Sequence, residues 1–249
     1  MKRERIDKLL VEQGLADSLP NAQALVMAGV VLVSEKRVEK SSEIFANDAK
    51  IRIKGKSEEI KYVGRGGLKL EKALIEFHIR PSKYICLDVG ASTGGFTDCL
   101  LQHGAKRVVA IDVGTNQLVW KIRNDARVEA RENVNARYLK PEDFTEKFDL
   151  IVMDVSFISV TKILPALKEL LVEEGKIIVL IKPQFEVGKG EVGKGGIVRD
   201  QELHAEVVEK INSFVEKIGL KVCAMTESPI LGADGNKEFL ALYCQNRLH

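Results

Sequence analysis

The apolar positions recur first with a helical period and then with a strand period. Ile6, Leu9, Leu10 and, less strictly, Gln13 fall on one helical face, and Gly14 stops the run. A second helix is expected to start near Ser18 and Pro20, where a hydroxyl cap and an early proline both fit. It continues through Ala22, Leu25, Val26 and Met27 and ends at Gly29. Residues 30–33 and Val38 read as strands around the charged turn Ser34-Glu35-Lys36-Arg37. Ile51 and Ile53 alternate with Arg52 and Lys54, the period of a half-buried strand. The polar run Gly55-Lys56-Ser57-Glu58-Glu59 then leads out of this small α+β region. The boundaries are placed at 1–58 for the first domain, 59–64 for a linker and 65–249 for the second domain.

The texture changes after Gly64-Arg65-Gly66-Gly67, which leads into a helix carrying Leu68, Leu70, Ala73, Leu74 and Phe77. Strands are expected at 84–89, 108–112, 128–130, 150–154, 177–181, 220–225 and 239–243, and helices at 96–102, 160–171 and 202–218. Strands that are nearly continuous in apolar residues and alternate with helices predict an α/β, mostly parallel, Rossmann-like sheet covered on both faces. The last two strands follow each other directly and predict an antiparallel hairpin.

Composition changes this picture little. Apolar residues make up 45% and charged residues 30% of the 249, the balance of a globular protein, and the net charge is only +2. The first 60 residues hold 11 Lys/Arg against 10 Asp/Glu, so any basic surface must be local. No apolar run approaches the roughly 20 residues of a membrane span, and the amino terminus does not read as a secretory signal. The cysteines Cys86, Cys99, Cys223 and Cys244 form no CxxC pair and read as buried free thiols, with no metal site. The expectation from these features is a cytoplasmic protein.

The chemistry begins at Asp88-Val89-Gly90-Ala91-Ser92-Thr93-Gly94-Gly95-Phe96, which follows a strand and opens a helix. Ligands of doubly wound sheets sit at this carboxyl edge. The pattern is not G-x-G-x-x-G, and an acid directly before the first glycine opposes a pyrophosphate. A sulfonium cofactor carries positive charge and an amino group, so Asp88 favours it, while Asp112 closes the next strand where an acid accepts ribose hydroxyls. Another kind of Rossmann nucleotide site is the alternative at this point.

Further along, Asp154 stands at the tip of the strand 150–154, and the Asn/Asp-Pro-Pro-Tyr/Phe turn of amine methylation is absent. Lys182 ends a continuous apolar strand, a costly place for a charge unless it is paired. Glu238 precedes the last strand, and Lys69 lies one turn into the helix before the first. A desolvated lysine can take a proton from a weak oxygen nucleophile, and a protonated one can stabilise the alkoxide. Spacing alone leaves open whether these four charges converge or form unrelated surface pairs.

Taken together, the stretch Gly64 to Asp112, Asp154-Val155-Ser156-Phe157, Lys182-Pro183-Gln184-Phe185-Glu186 and Lys237-Glu238-Phe239 resemble the TlyA family, whose members were named hemolysins and belong with the FtsJ-like (RrmJ-like) 2′-O-methyltransferases. Lys69, Asp154, Lys182 and Glu238 match that superfamily's Lys-Asp-Lys-Glu tetrad in order and context. The resemblance implies a seven-stranded class I methyltransferase that moves a methyl group from S-adenosyl-L-methionine to a cytidine 2′-hydroxyl of ribosomal RNA. The shortness of the chain at both ends is similar to members that act on the large subunit. The cofactor-binding residues it implies are Asp88, Gly90, Ala91, Ser92, Thr93, Gly94, Gly95, Phe96, Asp112, Val113, Asn133 and Asp154. The first segment resembles the RNA-binding domain of ribosomal protein S4, through Arg5-Ile6-Asp7-Lys8-Leu9-Leu10 and Ala28-Gly29-Val30-Val31-Leu32-Val33, although Ser18-Leu19 and Val33-Ser34-Glu35 depart from its usual Ser-Arg and Val-Asn-Gly. Candidate RNA contacts are Arg3, Arg5, Lys8, Lys36, Arg37 and Arg65.

Trp120, Phe157 and Phe185 are candidates for stacking on adenine or on a flipped base, with core packing as the alternative. Lys189, Lys194 and Arg199 sit in or beside a glycine-rich loop, 188–196, that follows Lys182 and could order on substrate. Four rival readings remain. A membrane-active hemolysin lacks its apolar segment, and a nicotinamide oxidoreductase is opposed by Asp88. The strand–helix alternation opposes a pseudouridine synthase, and the tetrad opposes a non-catalytic RNA-binding protein.

Overall fold

The computed structural model describes residues 3–16, 18–27, 29–34, 36–53, 61–188, 190–232 and 235–245, which divide into two compact units, Met1–Lys61 and Tyr62–His249. Ala28, Glu35, Lys54, the polar run 55–59, residues 59–60 of the expected linker and Lys189 lie outside the described residues.

The first unit runs β1 (Arg3–Arg5), α1 (Ile6–Glu12), α2 (Leu19–Met27), β2 (Val31–Val33), β3 (Lys36–Arg37), β4 (Ile44–Ala46) and β5 (Ile51–Ile53). Ile6 and Leu10 of α1, Ala22 and Val26 of α2 and the inward Val31, Val33 and Ile53 of the sheet β3-β2-β5 form its core. The pair β1–β4 was not foreseen, because three-residue strands carry too few positions for a period to show. The first turn of α1 carries one buried acid. Asp7 accepts Arg5 Nε at 3.0 Å and Nη2 at 2.7 Å, Gln23 Nε2 at 3.1 Å and the amide of Lys8 at 3.0 Å, and the Arg5 guanidinium holds its pKa below the usual carboxylate value.

The second unit continues with α3 (Gly66–Glu76), β6 (Ile85–Val89), α4 (Gly95–Gln102), β7 (Arg107–Ile111), α5 (Trp120–Arg123), β8 (Val128–Arg131), β9 (Phe148–Met153), α6 (Leu164–Glu169), β10 (Leu171–Ile181), α7 (Gln201–Lys217), β11 (Leu220–Glu227) and β12 (Phe239–Gln245). The seven strands stand in the order β11-β12-β10-β9-β6-β7-β8, parallel except for β12, which is antiparallel to both neighbours. The continuous apolar strands serve two cores. Leu87, Val89, Ile151, Met153, Ile177 and Val179 face α6 and α7, while Cys86, Val108, Leu150, Val152, Ile178 and Leu180 face α3 and α4. Alternate side chains of one strand thus leave water on opposite sheet faces.

Three expectations are corrected. The single helix over 160–171 is a 3-10 turn, Val160–Lys162, followed by the short α6, because Pro165 suits only a helix's first turn. Strand β10 begins at Leu171, not 177, pairing with Phe148 before a register shift at Lys176 absorbs the polar Glu173-Glu174-Gly175. Cys223 and Cys244 are joined by a disulfide across β11 and β12, whereas Cys86 and Cys99 are free and buried. The antiparallel register brings the first two to a Cα separation of 6.3 Å, and their 21-residue spacing gives no hint of it. Cysteine usage therefore no longer speaks for a compartment. Among the described residues no helix is long and apolar enough to cross a membrane.

Candidate active site

The site starts from the backbone at the carboxyl edge of the sheet. The carbonyl of Val89, last in β6, accepts the amide of Asp154 at 3.0 Å, so two parallel strands end side by side. Gly90 follows at φ +83°, and a Cβ there would stand 2.3 Å from the Asp154 carbonyl oxygen, so a side chain is excluded by both conformation and space. Asp112, one residue past β7, accepts the amides of Ser92 and Gly114, each at 2.8 Å, and so fixes two loops at once. A cavity of about 810 Å³ opens between these strand ends. Of the expected cofactor residues, Gly90, Ser92, Asp112, Val113 and Asp154 line it.

The remaining expected cofactor residues are placed differently. Asp88, Ala91, Gly95 and Phe96 are buried behind the loop, and Gly94 enters α4 at φ +98°. Thr93 is exposed and does not line the cavity. Asn133 accepts the Thr115 hydroxyl at 3.0 Å, and the cavity wall is formed instead by the next residues, Val134, Asn135 and Ala136. They sit just past the end of β8, where the carboxyl-edge rule points, so the sequence carried that signal. Asp88 Oδ2 accepts the Thr97 hydroxyl at 2.6 Å, Oδ1 has no hydrogen-bond partner, and burial pushes the carboxyl pKa up to about 7. A glycine cradle closed to any Cβ, with the Asp112 and Asp154 carboxylates at the cavity wall, fits a sulfonium cofactor bearing ribose hydroxyls.

The four tetrad residues converge as two ion pairs. Lys69 Nζ lies 2.5 Å from Glu238 Oε2, and the residues are only 8% and 2% exposed. Lys182 Nζ lies 2.6 Å from Asp154 Oδ1 and donates to Ser156 Oγ at 2.9 Å. Register explains the convergence. Ile181 of β10 pairs with Phe239 of the antiparallel β12, so one step beyond the ladder Lys182 and Glu238 are neighbours. Strand β9 flanks β10 on its other side and delivers Asp154. A Cβ on Gly66 would lie 3.9 Å from Asp154 Oδ2, which sets the start of α3, and with it Lys69, against the same edge. Gly232 leaves room for the acid, since a Cβ there would be 2.0 Å from Glu238 Oε1.

Around this centre Phe157, at φ +65° and 90% exposed, stands 5.1 Å from the Phe185 ring, and both line the cavity. Glu186, which the sequence shows in the matching motif but without a role, is buried and accepts Ser159 Oγ at 2.6 Å and the Val160 amide at 2.8 Å. That ties the segment after Lys182 to the one after Asp154. Across the glycine-rich loop, Asn236 accepts the Val198 amide at 3.1 Å and donates to the Gly196 carbonyl at 2.9 Å, linking that loop to the turn before Glu238.

In the first unit the candidate RNA contacts differ in freedom. Lys36 is exposed, while Arg3 donates to the Ile44 carbonyl, Lys8 lies 3.5 Å from Glu4 and Arg37 lies 3.7 Å from Glu39. Arg5 is committed to Asp7 by two nitrogens, so its first task is holding β1 and α1 together. Arg65, in the second unit, is exposed at the start of α3.

Comparison with known proteins agrees with this geometry. A model of the FtsJ-like methyltransferase matches residues 62–246, and one of the S4 domain matches residues 4–48. YqxC of Bacillus subtilis, an rRNA methyltransferase by name, is 49% identical over 96% of this chain and 85% of its own. The 16S/23S rRNA (cytidine-2′-O)-methyltransferase TlyA of Mycobacterium tuberculosis is 42% identical over 96% and 88%. A solved structure from Streptococcus thermophilus, carrying the name hemolysin, is 46% identical over 99% of this chain and 90% of its own, with a TM-score of 0.76.

Proposed function

Because the chain belongs to the FtsJ-like methyltransferase family and carries an S4 domain, we propose that its two ion pairs form the catalytic centre of an S-adenosylmethionine-dependent 2′-O-methyltransferase acting on cytidine in ribosomal RNA. The observation that carries this reading is the pairing of Lys69 with Glu238 and of Lys182 with Asp154 beside a glycine-lined cavity. The enzyme modifies rRNA. Its favoured acceptor is the large subunit, a reading supported by a Campylobacter jejuni relative named for 23S rRNA alone, although the mycobacterial relative is named for both 16S and 23S rRNA, and its place of work is the cytoplasm.

When bound, the cofactor supplies a methyl group already activated by its sulfonium, so the protein's share of the rate is positioning and proton handling. Gly90, Ser92, Asp112 and Val113 hold it. Lys182, oriented by Asp154 and Ser156, meets the ribose 2′-hydroxyl and, once it has released its own proton to water, takes the proton of that hydroxyl. Lys69 and Glu238 keep a fixed charge pattern at the edge of the same site, and exclusion of water there strengthens each of these interactions. Phe157 and Phe185 stack on the base. Arg3, Lys8, Lys36, Arg37 and Arg65 bear on RNA phosphates, with Arg5 contributing through its free face.

The test is transfer of labelled methyl to ribosomal subunits that lack the modification. A 2′-O-methyl blocks cleavage of the adjacent phosphodiester, so the label should survive alkali as a dinucleotide, and Lys182→Ala should abolish it. Full activity in that variant would remove Lys182 from the proton-accepting role, and labelled protein in place of RNA would overturn the substrate.

A further inference from the structure

Trp120 is the chain's only tryptophan, and 80% of it is exposed. An indole left in water forgoes the large apolar area it gains when covered, and Trp is favoured where one surface meets another. Its position is fixed from below. The amide of Val119 donates to the Thr93 carbonyl at 3.2 Å, and Leu118 and Ile122 pack under Gly94, where a Cβ would meet them at 3.0 and 3.1 Å. The short α5 is thus fastened to one side of the cofactor loop. A Cβ on Gly64 would come 2.8 Å from Thr93 Oγ1, which brings the exposed Arg65 to the same loop. Lys121 follows Trp120 with its side chain 72% exposed, and its carboxylate partner, Asp98 at 3.9 Å, is itself buried. An aromatic and two cations are therefore held close to the exposed Thr93, which does not line the cavity, on the loop whose Ser92 does.

That combination is what a single-stranded nucleic acid requires, a π-face for a base and cations for the backbone on either side. We infer that Arg65, Trp120 and Lys121 form a track for the RNA that flanks the target nucleotide, with a base stacked on the Trp120 indole and Lys121 on a phosphate. The inference rests on the reading of this chain as an RNA 2′-O-methyltransferase. The track gives the second unit an RNA grip of its own, next to the reacting centre, and one that tolerates sequence because every base has a π-face.

The test uses the full chain and its Trp120→Ala, Trp120→Phe and Lys121→Ala variants. In methyl transfer to unmodified ribosomal subunits, Trp120→Ala should raise the KM for subunits about tenfold, in line with the loss of one base stack. Its KM for the cofactor should stay within twofold of wild type, and Trp120→Phe should keep most of the affinity. Because the chain holds one tryptophan, its emission reports on this spot directly. It should be that of a water-exposed indole, should be quenched by a single-stranded oligocytidylate, and should respond more weakly to the oligonucleotide in Lys121→Ala. An unchanged KM for subunits in Trp120→Ala, or emission of a buried indole in the free protein, would overturn the track. So would an equal loss of RNA and cofactor affinity in both Trp120 variants, which would mark the residue as packing. A wild-type protein that methylates no subunit defeats the enzymatic reading instead, and quenching by the oligonucleotide still decides the track.

Discussion

Replacing Asp88 by Asn should flatten the pH dependence of stability. Asp88 is wholly buried, one of its oxygens has no partner, and its pKa is pushed from 3.8 up to about 7. A carboxyl raised in the folded state favours folding while it is protonated. Its contribution is fully present below pH 3.8 and is lost as the pH rises to about 7. The difference between those two values, at about 1.4 kcal/mol per unit, amounts to about 4 kcal/mol lost over that window. Asn mimics the protonated acid and keeps an oxygen for the Thr97 hydroxyl, so the variant should gain on wild type by about that amount once the pH passes 7. For a unit of this size the gain corresponds to roughly 10 °C in Tm, at about 2–4 °C per kcal/mol. Thermal unfolding of both proteins from about pH 4.5 to 8 reads the difference directly, since groups common to both cancel. Parallel curves across that range would refute the reasoning, and a variant less stable than wild type at pH 8 would show that the ionised form has a partner.

Three more variants probe the site. Glu238→Gln leaves Lys69 buried without its counter-charge and should cost about 3 kcal/mol in denaturant unfolding along with methyl transfer. A Lys69→Met, Glu238→Leu double variant should recover most of that stability while remaining inactive, and recovery of activity would remove the pair from the mechanism. Asn236→Ala should free the glycine-rich loop from the turn before Glu238, speeding trypsin cleavage at Lys194 and Arg199 with a Tm change of only a few degrees. Cleavage at the wild-type rate would show that the loop is held by other contacts.

Much of the second unit was legible because both its strands and its site obey short-range rules. Continuous apolar runs of strand length mark a sheet covered on both faces, and Val89-Gly90 or Ile181-Lys182 mark where such strands meet the ligand edge. The first unit was legible in its helices and not in β1 and β4, whose three residues each carry no period. Pro165 and Gly175 were visible as letters, but their effect on α6 and β10 depended on how Leu171 pairs with Phe148, a partner 23 residues back.

The sequence alone determined which residue types stand at each strand end, since that follows from period and punctuation along the chain. It thereby supplied Asp88, Asp112, Asp154, Lys182 and Glu238 as candidates. Only the tertiary structure decided which of these meet. The antiparallel insertion of β12 beside β10 makes Lys182 and Glu238 neighbours, and it also joins Cys223 to Cys244. The pleat of β6 turns Asp88 away from Leu87 and Val89 toward Thr97 of α4, while Asp112 and Asp154 line the cavity. It likewise took the folded unit to bring Gln23 to the buried Asp7, 16 residues away, and to leave Trp120 in water. Register between distant strands and the burial of a charge are properties of pairs far apart in the chain, and no local pattern encodes them.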